Sequence, residues 1–233
     1  MGRFGSAVSG RFAVAIPALD AAETIVAVVQ RTLAMGAEIV VIDDGSRDGT
    51  GDIARACGVT VLTHPVNLGK GRALKTAFDH LFARGFDAVV TLDADGQHPP
   101  EEMPKVLAPW RDGADLVLGT RDHLYAAMGR VRRASNGTSS WLISHVAGAD
   151  LPDCQTGYRV YARRMIDTIG FPEPRFEAES AVLVRAVRAG FRVVGVRVRL
   201  DKADGRATSH YRPIVDSLRI AGAVARARFE VPS

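Results

Sequence analysis

The run VVTLDADGQHPPEE, residues 89–102, closes an apolar, strand-like segment with two aspartates one residue apart, Asp93 and Asp95, followed by Gln97, His98 and two prolines. Residues i and i+2 of a strand share a face, so both carboxylates can point toward one ligand. Two such charges repel unless something positive lies between them. A hard divalent cation, held by one or two carboxylates plus substrate phosphates, would remove the repulsion; a solvated acidic turn is the plainer alternative, and the pair alone leaves both open. A second acidic stretch, DDGSRDGT at 43–50, sets Asp43 and Asp44 at the end of another apolar run. Ser46 or Asp48 suits a helix cap, which leaves Asp43 and Asp44 without a structural need. A carboxylate there could accept from the ring N–H of uracil or guanine. In NLGKGRALKTAF, residues 67–78, the Walker and dinucleotide patterns both fail at Leu74. The milder reading is a backbone kept slim by Gly69 and Gly71, with Lys70 or Arg72 facing a diphosphate at a helix start.

These residues need elements to position them. Short β-rich runs at 12–16, 39–42, 59–62, 88–92 and 116–118 alternate with helix-period segments at about 22–35, 49–57, 72–83 and 101–110. Alternation of that kind means βαβ crossovers, hence an α/β fold with a mostly parallel sheet flanked by helices. Ligands of such sheets bind at the carboxyl ends of the strands, where this chain places IPALD, VIDDGSRDGT, THPVNLGKG, LDADGQH and LGTRD. Beyond Arg121 the pattern changes to a helix over 133–147, the segment LPDCQTGYRVYARR, an amphipathic helix in FEAESAVLVRAVRAGF, an alternating strand at 194–200 and a terminal helix over about 214–228. The Val/Arg alternation at 194–200 predicts one wet face and an antiparallel addition to the sheet.

At 233 residues, 47% of them hydrophobic and 24% charged, the chain is expected to fold as one domain. Residues 1–11 are expected to be flexible, with 12–121 and 122–233 as its two halves. A net charge of +4 suits phosphates or anionic head groups and is too weak to argue for nucleic acid. Cys57 and Cys154 lack CxxC spacing, so neither zinc nor a disulfide framework is expected. The histidines make no metal-ligand spacing with one another, and GTSSW lacks the nucleophile elbow. No apolar leader and no run of about 18 to 20 apolar residues stands out, so a cytoplasmic protein is expected, with any membrane association peripheral.

Taken in order, IP, DDGSRDGT, NLGKG, LDADGQHPPE, LGTR, DCQTGYR and FEAE resemble glycosyltransferase family 2, and within it the dolichol-phosphate mannose synthase type, from about Phe12 to Ile220. The resemblance implies a GT-A fold, the Rossmann-like nucleotide-diphospho-sugar transferase fold, and an inverting transferase that moves a sugar from a GDP- or UDP-sugar to a polyprenyl phosphate with Mg²⁺ or Mn²⁺. Carried over by position, Pro17, Asp20, Asp43, Asp44, Lys70, Gly71, Asp93 and Ala94 fall on the nucleotide-sugar side, with Asp44 as the base-contacting acid. Asp93, Asp95 and Gln97 fall on the metal group. Asp95, Asp153, Glu179 and Arg121 stand at catalytic positions, Glu179 near the acid that serves relatives with hydroxyl acceptors as a base. Arg121, Arg132, Gln155, Arg159, His210 and Arg212 are expected to face the acceptor phosphate. The chain departs from the family at Pro17 to Ala21, where an aromatic and an acidic nucleotide contact are missing. The expected partners are the nucleotide sugar, the lipid phosphate and a recruiting membrane subunit, without nucleic acid. A hydroxyl-acceptor transferase of cell-surface polysaccharide synthesis and a non-catalytic nucleotide-sugar-binding module are the rival readings.

Overall fold

A computed structural model describes residues 10–121, 143–149, 151, 153–201 and 213–229, with 213–218 as backbone only. Among them seven strands form one sheet: β1 (Phe12–Ala18), β2 (Glu38–Asp43), β3 (Thr60–Thr63), β4 (Ala88–Thr91), β5 (Leu116–Thr120), β6 (Arg159–Ala162) and β7 (Val193–Arg197), in the order β3-β2-β1-β4-β6-β5-β7. The pairs β1–β2, β1–β4, β2–β3 and β5–β7 are parallel, whereas β6 runs antiparallel to both β4 and β5. The antiparallel member is therefore β6, and the strand expected to run antiparallel, β7, lies parallel to β5. Val/Arg alternation reports only a wet face, which an edge position provides in either direction.

Two cores lie on opposite faces of the sheet, and the strands divide their residues between them with period two. Ala13, Ala15, Val40, Ile42 and Val89 point to one core, and Val14, Ile16, Ile39, Val41 and Val90 to the other. The first core is covered by α3 (Lys70–Ala83), α5 (Arg163–Ile169), α6 (Glu177–Arg188) and α7 (Pro213–Ala227); the second by α1 (Ile25–Ala34), α2 (Thr50–Ala56) and α4 (Met103–Arg111), the last entered through a 3-10 turn at Pro100–Glu102. In α3 the buried set Ala73, Leu74, Ala77, Phe78, Leu81 and Phe82 recurs at helical spacing. Burying each of its larger side chains contributes about 1.5–3 kcal/mol.

The helix α6 is not the one-faced amphipath its sequence suggests. Residues 177–186 are all buried, because α3, α5 and α7 pack around it. Its Arg185 is accommodated by an ion pair with the buried Glu173. Most of the helix expected at 133–147 lies outside the described residues; 143–147 are helical.

Candidate active site

The carboxyl ends of β1, β2, β4 and β5 open on one edge, and because β6 is antiparallel its amino end opens there too. Thr91 of β4 pairs with Arg159 of β6, so the chain leaving β4 toward Asp93 passes the chain entering β6 at Gly157. The Thr91 hydroxyl fastens this crossing by donating to the Gly157 carbonyl at 2.8 Å. A β-carbon on Gly157 would collide with the carboxylate of Asp93, so the glycine leaves room for that aspartate. Gly157→Ala is expected to displace Asp93 and to cut any activity that depends on that carboxylate by roughly 10²-fold, the scale of a 1 Å misplacement. Unchanged activity in that variant would refute the steric reading.

Asp93 does not stand unpaired. The Lys70 ammonium, at the start of α3, lies 2.7 Å from Asp93 Oδ1 and 2.8 Å from Glu179 Oε2 in α6. Burial opposes the charge on Lys70, but the two carboxylates outweigh it and hold its pKa above the usual lysine value. Burial likewise works against ionised Asp93, and the Lys70 charge overcomes it, leaving the carboxyl below the usual range. Asp95 moves the other way: burial and then the neighbouring Asp93 charge push its pKa up. Gln97 donates to Asp95 from its backbone N–H to Oδ1 at 2.9 Å and from its side-chain amide to Oδ2 at 2.7 Å. His98, one residue on, is buried against the Tyr158 ring, and desolvation depresses its pKa to about 4. It stands neutral beside the acidic pair, its Nδ1 without a partner.

At the end of β2 the structure gives Asp43 and Asp44 the structural work that the sequence did not suggest. Asp44 is buried and accepts from the backbone N–H groups of Leu68 at 2.9 Å and Gly69 at 2.8 Å, while His64 Nδ1 lies 2.7 Å from its Oδ1. His64 Nε2 in turn meets the Thr76 hydroxyl of α3 at 3.0 Å. Both oxygens of Asp44 thus help close the loop that delivers Lys70. Asp43 accepts from the Ser46 N–H at 3.0 Å and lies against Gly51 of α2, where a β-carbon would collide with it. Asp20, at a positive φ of 49°, accepts from the Arg47 N–H at 2.8 Å, and its own N–H donates to Ser46 Oγ. Pro17 is half-buried in β1 opposite Ile42, and the Ala94 carbonyl accepts from the Thr24 hydroxyl at 2.6 Å. Gly71 is slim for packing: a β-carbon would strike the Glu173 carbonyl. Gly49, at a positive φ of 85°, is the N-cap of α2, and Asp48 just before it accepts from the Thr50 N–H and hydroxyl.

On the other side Arg121, just past β5, is gripped by Asp153. Its Nε donates to Oδ2 at 2.7 Å, its Nη2 to Oδ1 at 3.0 Å and its backbone N–H to Oδ2 at 2.9 Å. This two-pronged contact fixes the guanidinium plane, so Asp153, fully buried and at a strained φ of 28°, serves as the clamp for Arg121. Gln155 is half-buried in the turn that leads from Asp153 to β6. Arg159 is a correction. It is wholly buried and its guanidinium donates to the carbonyls of Thr156, Cys154 and Glu179 at 2.7, 2.8 and 2.6 Å, so it braces the turn against α6 and presents nothing to an acceptor phosphate. Arg132, His210 and Arg212 lie outside the described residues. Sequence reasoning missed Gly157 as the spacer for Asp93 and His64 as the link from Asp44 to α3. A glycine two residues before a strand was a usable signal for the first; nothing local marks the second.

Among the described residues no three His, Cys, Asp or Glu side chains gather into a metal cluster. Asp93 and Asp95 with the Gln97 amide fit a cation that takes the remainder of its shell from a bound diphosphate. Burial, and after it the Asp93 charge, raise the Asp95 pKa, so a positive charge bound beside the pair would favour its ionised form.

The sequence profile described as Glycosyl transferase family 2 matches residues 13–170. The polyprenol monophosphomannose synthase of Mycolicibacterium smegmatis is 32% identical over 175 residues, covering 69% of this chain and 65% of that protein. The undecaprenyl-phosphate mannosyltransferase of Micrococcus luteus is 34% identical over 172 residues, covering 69% and 70%. The chain thus spans about two thirds of the length of these relatives. Glucosyl-3-phosphoglycerate synthase from Mycobacterium tuberculosis, solved with Mn²⁺, uridine diphosphate and phosphoglyceric acid, superposes with a TM-score of 0.71 over 98% of this chain and 81% of its own, at 22% identity. That likeness shows the fold, which is GT-A. Family profile, relatives and fold agree, and the chain belongs to glycosyl transferase family 2.

Proposed function

We propose that the protein is an inverting glycosyltransferase that moves a sugar from a nucleotide-diphosphate sugar to a polyprenyl phosphate, with residues 12–121 holding the donor and the remainder the acceptor. The observation that carries this reading is the charge arrangement at the strand ends: the acidic pair Asp93 and Asp95 with a buried ammonium, Lys70, on one side, and the clamped guanidinium of Arg121 on the other. In the reaction an anionic oxygen of the acceptor phosphate forms a bond to the anomeric carbon while the bond from that carbon to the donor diphosphate breaks. The electron pair leaves with the diphosphate, and attack from the opposite face inverts the centre. The acceptor oxygen is already ionised at neutral pH, so no side chain has to remove a proton. Arg121, its plane set by Asp153, orients the acceptor phosphate, and Lys70 lies where it can meet growing charge on the leaving group. A bound Mg²⁺ or Mn²⁺ at Asp93, Asp95 and Gln97 would neutralise the diphosphate.

Glu179 separates this reading from transfer to a sugar hydroxyl. Its Oε2 is committed to Lys70, which favours the phosphate acceptor, while its buried Oε1 accepts no hydrogen bond, with Arg159 Nε 3.8 Å away, which favours the rival. Glu179→Gln is expected to keep transfer to lipid phosphate within about tenfold, whereas loss of a general base costs 10²–10⁴-fold. Both functional readings are tested by supplying labelled GDP-mannose, UDP-glucose or UDP-N-acetylglucosamine with a polyprenyl phosphate and counting label in the organic phase with and without EDTA. Chelator-sensitive label in that phase is the expected result; its absence with every donor would overturn the proposal.

A further inference from the structure

Four large apolar side chains are exposed among the described residues, Leu33, Val66, Leu68 and Phe229. Two of them share the loop that Asp44 closes, Val66 at 59% and Leu68 at 39% exposure. The loop is joined by a second, residues 172–175, which packs directly on it. The Arg72 N–H donates to the Pro174 carbonyl at 2.9 Å, and Gly69 lies so close to Pro174 and Arg175 that a β-carbon would come within 2.6 Å of the Pro174 oxygen. Together the two loops expose Pro65, Val66, Leu68, Pro172 and Pro174.

The charge around this apolar surface has one sign. Arg72 and Arg175 are exposed and form no ion pair with a carboxylate among the described residues. The acids nearby, Glu173, Glu177 and Asp44, are all buried. Glu173, between the two exposed prolines, is buried against Arg185, and Asp44 is buried under the loop with His64. Apolar side chains that can enter the head-group boundary, carried on the same two loops as Arg175 and next to Arg72, suit an anionic lipid surface. A single exposed Leu or Val would need no explanation, but here the contiguous set borders the site. Lys70 follows Gly69 directly and carries its ammonium inward to Asp93 and Glu179.

We propose that the surface formed by residues 65–68, 72 and 172–175 docks on an anionic bilayer and brings the crevice behind Lys70 to a phosphate carried by a lipid in that bilayer. The docking surface deepens the lipid-phosphate reading and rests on it for its purpose, not for its physical basis. No helix among the described residues is long and apolar enough to cross a membrane, so a surface contact of this kind is what the described part of the chain itself offers.

The test uses the full chain, with phosphatidylcholine vesicles lacking or containing phosphatidylglycerol, and the exposed-site variants Val66→Asp and Arg175→Glu. The wild type should sediment with the anionic vesicles at least tenfold more than with the neutral ones and be released by high salt. Each variant should bind them at least fivefold less, with an unchanged melting temperature and unchanged nucleotide diphosphate affinity. Transfer to a short-chain, water-soluble polyprenyl phosphate should be unaffected in both variants, while transfer to a vesicle-borne acceptor should fall with docking. Equal vesicle binding by variants and wild type, or no binding of the wild type to anionic vesicles, would overturn the proposal, as would retention by neutral vesicles alone. If docking depends on the patch yet no lipid phosphate accepts sugar, the surface assignment stands and the acceptor assignment falls.

Discussion

Asp93→Asn is expected to lower sugar transfer by at least ~10²- to 10³-fold, the range seen when one preorganised electrostatic group is removed from a transferring centre. The change removes a charge from the ion pair with Lys70 and from the cation contact proposed for this carboxylate. Asp95→Asn should be comparably damaging to turnover, yet the two should differ in stability. The ion pair with Lys70 holds Asp93 ionised and depresses its pKa, so its contribution is present above the unfolded-state value and lost as pH falls through the folded one. Neutralising Asp93 forfeits that contribution near neutral pH. Asp95 has a raised pKa, so its ionised form opposes folding at neutral pH and that penalty fades on acidification. Asp95→Asn should therefore leave the melting temperature at pH 7 equal or slightly higher while activity collapses. Calorimetry alongside the transfer assay checks both; an Asp95→Asn protein that melts several degrees lower would show that this carboxylate serves the fold.

Arg159→Met carries the largest expected effect on stability. The guanidinium is wholly buried and ties three backbone carbonyls, two in the turn after Asp153 and one in α6. Methionine fills much of the same space but leaves those carbonyls without their donor and removes the positive charge 3.8 Å from Glu179 Oε1. Removing one member of such a buried charged network costs about 3–5 kcal/mol, which in a chain of this size lowers the melting temperature by roughly 10 °C. Thermal unfolding measures it directly. A melting temperature within 2 °C of wild type, with acceptor affinity lost, would restore Arg159 to the acceptor phosphate and undo its assignment as a brace.

The order of strands and helices through residue 120 was legible because βαβ units write themselves locally, in short apolar runs that alternate with helical periodicity. Observed bounds such as Phe12–Ala18 and Glu38–Asp43 lie within a residue or two of the sequence reading. The acidic pair at Asp93 and Asp95 was legible for the same reason, since a strand end and a spacing of two are local facts. The partners of those residues were not. Lys70, Asp93 and Glu179 are far apart in the chain and meet only because α3, the end of β4 and α6 converge on one edge. Motif order drew attention to Arg159 and Asp44, yet neither its arginine nor its carboxylate could be assigned from type alone. A buried guanidinium bracing carbonyls and an exposed one facing phosphate are the same residue in sequence.

Local propensity and spacing determined which elements form, which residues alternate into the two cores, and that acidic and glycine-rich loops follow the strands. Tertiary structure alone decided that β6 runs antiparallel, and so that Gly157 rather than a larger residue lies beside Asp93. It also decided which charges are spent on one another and which remain for a ligand. The reason is physical: secondary structure answers to neighbours within a few positions, whereas burial, ion pairing and steric room depend on what distant segments bring to the same point.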